Sequence, residues 1–171
     1  RKLPTGEAFL RWGLLFGTPI AHPSVMLRSA SVHRAGHYDE KLRYAQDHEL
    51  WVRLSFETTP AQLPKPLLRL RRHNMSISSQ RNNDQWQVYE KVLHRAAVRL
   101  LGPYITVTQA KQLCNAVRGH ISLTDYELLA SSSLLIDLYA GFVKFWKVRL
   151  IDRLSIRFDM ARRLIAFAHR N

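Results

Sequence analysis

Short apolar runs separated by glycines and prolines mark the first 81 residues of the chain. Short helices are expected at about 7–15, 30–35 and 47–56, the last from the helical spacing of its apolar side chains. Gly36 is suited to ending the second helix. In the third helix Leu50, Trp51 and Leu54 share one face, which predicts that this face is buried.

Two further runs, at 24–27 and 67–70, are too short for helices and read as strands. The first is expected to be buried, and the second follows Pro64 and Pro66. Together with the three short helices, these runs predict an α/β segment.

From residue 82 onward the pattern becomes almost wholly helical. Four long amphipathic stretches predict helices at about 85–101, from Thr106 or Thr108 to 118, 124–148 and 152–169. Thr124 and Glu127 form a Thr-x-x-Glu capping box at the start of the third stretch. We therefore expect two domains, an α/β domain over 1–81 and a helical domain over 82–171.

Composition narrows the class of partner. The chain of 171 residues has a net charge of +13, which favours a polyanionic partner such as nucleic acid, anionic lipid or a phosphate-bearing ligand. Its single cysteine, Cys114, excludes an intrachain disulfide and a cysteine-rich metal site.

Asp47 is the first candidate for chemistry. It begins the 47–56 helix in the stretch Gln46-Asp47-His48-Glu49-Leu50-Trp51. An aspartate there can simply cap backbone N–H groups, or it can act as a general base that takes a proton from a hydroxyl. Glu49 is the alternative acid, or else a solvated helix position.

Two other motifs flank this helix. Upstream lies His22-Pro23-Ser24-Val25-Met26, where His22 and Ser24 either line a ligand cleft or belong to a loop. Downstream lies Arg71-Arg72-His73, which is either a basic surface segment or a diphosphate site, since arginine binds phosphate oxygens and a neutral histidine can bind a metal.

In this order and spacing, the three motifs resemble the acceptor-side part of a bacterial family 2 glycosyltransferase of the GT-A fold. The resemblance covers roughly residues 10–85 and departs from the family at Gln46, where an acid is usual. It implies transfer of a sugar from a nucleotide-diphosphate donor to a hydroxyl acceptor, in polysaccharide or envelope-glycan synthesis. By the same resemblance Asp47 is the base, Arg71 approaches the diphosphate and His73 contacts the metal. His22, Ser24, Glu49 and Trp51 are then expected near the substrates.

The resemblance also implies a divalent metal, Mn²⁺ or Mg²⁺, in the full-length enzyme. The family holds this metal with an Asp-x-Asp motif, which the sequence lacks. It also lacks a recognisable nucleotide-binding strand and a glycine-rich phosphate loop. We therefore expect a fragment that contains the acceptor side and lacks the donor half, with no metal bound by this chain alone. The exposed strand edge of such a fragment favours a homo-oligomer.

Basic and aromatic side chains alternate over residues 142–170. This pattern fits either peripheral contact with an anionic membrane or a bundle helix whose arginine stems cover apolar neighbours. The expected location is cytoplasmic or peripheral at the inner membrane. The alternative function is a basic helical binding module for nucleic acid, membrane or protein, without catalysis. The absence of any recognisable nucleic-acid-binding motif argues against nucleic acid.

Overall fold

The computed structural model describes residues 6–69, 71, 83–118 and 123–168. Within these ranges the protein is mainly helical, with seven α-helices and one short 3₁₀ helix at His22–Ser24. The α-helices are α1 Glu7–Leu14, α2 Ser29–Ala35, α3 Gln46–Glu57, α4 Asn83–Leu101, α5 Val107–Arg118, α6 Asp125–Phe145 and α7 Leu150–Ala168.

Local sequence signals set the ends of these helices. Gly36 follows α2 in the left-handed conformation, at φ 84°, as a helix-ending glycine should. The Thr124 hydroxyl accepts from the Glu127 N–H while the Glu127 carboxylate accepts from the Thr124 N–H, so the predicted capping box is confirmed. The Thr106 hydroxyl accepts from the Gln109 N–H in the same way, which identifies Thr106 as the cap of α5.

The expected α/β segment is wrong for the described residues, since no strand occurs among them. Ser24 ends the 3₁₀ helix, and Met26 and Leu27 are exposed. Leu67 and Leu68 are also exposed in an irregular segment. A strand is stabilised by hydrogen bonds to a neighbouring strand, and short apolar runs carry no information about such a neighbour.

The helices pack around one continuous core. Helices α4, α5 and α6 contact one another, α7 lies on α6 and α1, and α3 lies between α1 and α4. The largest fully buried side chains come from α1, α3, α4, α5, α6 and α7: Trp12, Leu50, Leu93, Leu113, Phe142 and Ile156. The core therefore includes side chains from before and after the predicted domain boundary. The boundary itself, between 81 and 82, lies outside the described residues and stays a prediction.

Helix α6 contributes one face to this core. Leu134, Leu135, Leu138 and Phe142 are buried, and Asp137 is exposed. Among the described helices, α6 is also the one long and apolar enough to cross a membrane by length and composition. Its close approach to α4 requires Gly141, because a Cβ there would lie 2.9 Å from the Leu100 carbonyl oxygen.

Candidate functional site

The site forms where the His22–Ser24 turn, the loop over 36–45 and the start of α3 meet. A hydrogen bond of 3.1 Å joins His22 Nε2 to the Tyr38 hydroxyl. Both rings lie against Trp51, with centroid distances of 5.8 Å from His22 and 6.4 Å from Tyr38. We call His22, Tyr38 and Trp51 the aromatic cluster.

Asp47 lies on the first turn of α3, four residues before Trp51 of the aromatic cluster. Its Oδ1 accepts a hydrogen bond of 2.8 Å from the His48 N–H, and the side chain is half-buried. Burial raises the pKa of the Tyr38 hydroxyl, and the charge of Asp47 raises it further. The Asp47 carboxylate therefore acts on Tyr38 electrostatically, and it is bonded to the backbone of the first turn of α3 while staying partly accessible.

Two residues of this region adopt a backbone conformation that side chains with a Cβ rarely take. His37 has φ 61° and Ala45 has φ 52°, and both are in the left-handed region. For Ala45 this costs about 1–2 kcal/mol, which the surrounding packing has to offset. Ala45 immediately precedes α3, so its conformation sets the direction in which the first turn presents Asp47. Strained residues of this kind concentrate at functional sites.

Glu49 is buried, and unlike Asp47 it has a structural role. The residue is 3% exposed, and its carboxylate accepts hydrogen bonds from Arg53, at 2.8 Å, and from Arg95, at 3.3 Å. Arg53 also donates to the carbonyls of Ala35 and His37, at the end of α2 and the start of the Tyr38 loop. Glu49 therefore holds Arg53, and Arg53 holds the loop that carries Tyr38.

His48 connects α3 to α1 and α4 inside the core. Its Nε2–H donates a hydrogen bond of 2.8 Å to the Leu14 carbonyl, and its ring lies 4.4 Å from that of Tyr89. Burial lowers the pKa of His48 to about 4, although the bond to Leu14 and the charges of Asp47 and Glu49 oppose this. A neutral, fixed His48 locks the register of α3 against α1.

The structure thus brings together three residues that the sequence singled out, Asp47, His22 and Trp51. Ser24 donates its hydroxyl to the Ala21 carbonyl at 2.7 Å and so closes its own turn. Arg71 is exposed, and His73 lies outside the described residues, so its metal role stays a prediction. In the part of the chain that the structure describes, no group of three or more histidine, cysteine, aspartate or glutamate side chains could hold a metal ion.

Sequence reasoning missed Tyr38. The available signal was its place two residues after Gly36, in the loop that leads from α2 towards Asp47. It missed the role of Arg53 because a charged residue on a helix usually faces solvent.

Comparison of the chain with protein-family models, with curated proteins and with solved structures gave no match.

Proposed function

We propose that this chain provides the acceptor side and C-terminal part of a glycosyltransferase. The enzyme would transfer a sugar from a nucleotide-diphosphate donor to a hydroxyl acceptor, in polysaccharide or envelope-glycan synthesis. The observation that carries the proposal is the position of Asp47, half-buried on the first turn of α3 and one turn before Trp51 of the aromatic cluster.

In this proposal Asp47 acts as the general base. Its carboxylate takes the proton of the acceptor hydroxyl while the hydroxyl oxygen forms a bond to the anomeric carbon of the donor sugar. The bond between that carbon and the diphosphate oxygen breaks, and the nucleotide diphosphate leaves with the electron pair. The exposed rings of His22 and Tyr38 offer a surface for the apolar face of the acceptor, and their mutual hydrogen bond fixes both rings.

The described residues do not by themselves fit the divalent metal of such an enzyme. They contain no suitable group of ligands, and the sequence contains no Asp-x-Asp. The proposal therefore assigns no step on the donor side to this chain, except that Arg71 and His73 remain candidates for contact with the diphosphate and its metal.

The experiment is a transfer assay on the natural protein that carries this sequence, with a panel of nucleotide-diphosphate sugars and lipid-linked and oligosaccharide acceptors. Asp47→Asn should lower the transfer rate by about 10²–10⁴-fold, since that is what a general base contributes. Donor binding by calorimetry, with and without Mn²⁺, should remain unchanged in this variant.

The matched control is Glu57→Gln, which removes a carboxylate at the opposite end of α3, where it pairs with Arg99 on the surface. This variant should transfer sugar at the rate of the unmodified protein. Transfer by Asp47→Asn at the normal rate, or no transfer by the unmodified protein across the panel, would refute the proposal.

A further inference from the structure

Helix α7 is apolar on two opposite faces. Its inner face packs into the core through Ile156 and Phe167. Its outer face, defined here as Leu150, Ile151, Leu154, Phe158 and Ile165, is exposed, with Phe158 76% and Leu150 74% exposed. Leu150, Leu154 and Phe158 follow one another at intervals of four residues, and Ile151 and Ile165 lie three residues before and eleven residues after Leu154, so the five form one stripe along the helix.

The orientation of this stripe is fixed by polar contacts on the inner side. Asp159 is buried and accepts a hydrogen bond of 3.0 Å from Trp12 Nε1, which ties α7 to α1. The outer face is therefore held outward rather than free to turn into the core.

Arginines accompany the outer face along its length. The side chain of Arg149 is 80% exposed and that of Arg162 is 65% exposed, and Arg157 is exposed as well. The two acidic residues of α7 are already paired, Asp152 with Arg149 and Asp159 with Arg162 and Arg163. Each aspartate compensates one arginine, and the net positive charge that remains around the stripe comes from Arg157 and from the second arginine at Asp159.

We propose that the outer face of α7 docks on an anionic lipid surface. The apolar side chains would enter the boundary between headgroups and acyl chains, and the arginines would contact the lipid phosphates. Charge complementarity selects this occupant. A second copy of the same face would bring arginines against arginines, and a nucleic acid would leave the apolar centre of the stripe without a partner.

The experiment is flotation of the whole chain with vesicles of phosphatidylcholine alone, or of phosphatidylcholine with about one third phosphatidylglycerol. The chain should bind the anionic vesicles and bind the neutral ones far more weakly. The double variant Leu154→Ser, Phe158→Ser should weaken binding at least about tenfold, because two large side chains no longer leave water. Arg157→Gln should weaken binding to anionic vesicles about fivefold.

The matched control is Leu129→Ser on α6, which makes the same leucine-to-serine change at a residue that is 71% exposed but lies outside the stripe. It should bind like the unmodified chain, and circular dichroism should show all variants folded. Absence of binding to anionic vesicles, or unchanged binding by the double variant, overturns the proposal. If the chain does not bind vesicles but self-associates, and the double variant abolishes this self-association, the outer face binds a second copy of the chain instead. None of these outcomes depends on sugar transfer, so this test and that of the proposed function fail independently.

Discussion

Helices α3 and α7 break the usual rule of burial in opposite directions. Helix α3 buries polar side chains, His48, Glu49 and Ser55, together with its leucines. Helix α7 exposes Leu150, Phe158 and other large apolar side chains to solvent. Most helices on a protein surface do neither.

Each helix contacts three others, so the difference lies in how the partners are arranged around it. Helix α3 contacts α1, α2 and α4, so its polar groups find fixed partners such as the Leu14 carbonyl, Arg53 and Arg95. Helix α7 contacts α1, α5 and α6 through its inner face alone. A helix enclosed by partners can hold reactive side chains in a defined geometry, whereas a helix with one free apolar face offers that face for docking.

The largest expected difference between α3 and α7 is in the stability lost when one leucine of each helix is truncated. Leu50 on α3 is fully buried, whereas Leu154 on α7 is 58% exposed. Leu50→Ala should lower the free energy of unfolding by about 4 kcal/mol, since it leaves a cavity. Leu154→Ala should change it by no more than about 0.5 kcal/mol. Urea denaturation followed by circular dichroism measures both, and similar losses would mean that α7 is covered in solution.

The next largest expected loss of stability comes from Asp159, whose hydrogen bonds and ion pairs hold the inner face of α7. Burial alone would raise the pKa of Asp159, but the charge of Arg163 and hydrogen bonds from Arg163, Trp12 and Arg162 lower it below its ordinary value. Asp159→Ala leaves these donors without their shared acceptor and should cost about 3 kcal/mol of stability.

The control for Asp159→Ala is Asp152→Ala, which removes only a surface ion pair with Arg149 and should lower the free energy of unfolding by less than about 1 kcal/mol. Because the pKa of Asp159 is depressed, its contribution is present above the ordinary aspartate pKa and is lost as pH falls through the folded value. Equal costs for the two aspartates would show that α7 is not held by its inner face.

The smallest expected effect is a pH dependence of stability that comes from His48 on α3. The folded protein keeps His48 neutral, with a pKa of about 4 in place of the ordinary 6.5. The unfolded chain therefore binds a proton that the folded chain excludes, and stability should fall as pH drops from 6.5 towards 4. Between about pH 7 and about pH 5 we expect a loss of about 2 kcal/mol from this group.

Denaturation of His48→Leu across the same pH range should lack this loss. The comparison variant His33→Leu changes an exposed histidine and should retain it. A pH dependence that survives in His48→Leu would place the responsible group elsewhere in the chain.

Much of the local structure was predictable from the sequence. The helix at α3 was expected over 47–56 and spans Gln46–Glu57, and the capping box of α6 was read directly from Thr124 and Glu127. The end of α6 was placed about three residues too late, because Lys147 turns into the left-handed conformation at φ 47° and nothing in its side chain signals this. The two strands expected at 24–27 and 67–70 do not form among the described residues, because a short apolar run does not show whether a neighbouring strand exists.

The candidate site divides in the same way. The sequence placed Asp47 on the first turn of a helix, since capping and apolar periodicity act within one or two turns. It could not show that Tyr38 would bond to His22 or that Arg95 would pair with Glu49, because those contacts join segments that are distant along the chain. The sequence by itself determined where the helices begin and which residues share a face. Only the tertiary structure decided which faces find partners, so it alone enclosed α3, left the outer face of α7 exposed and brought the aromatic cluster to Asp47.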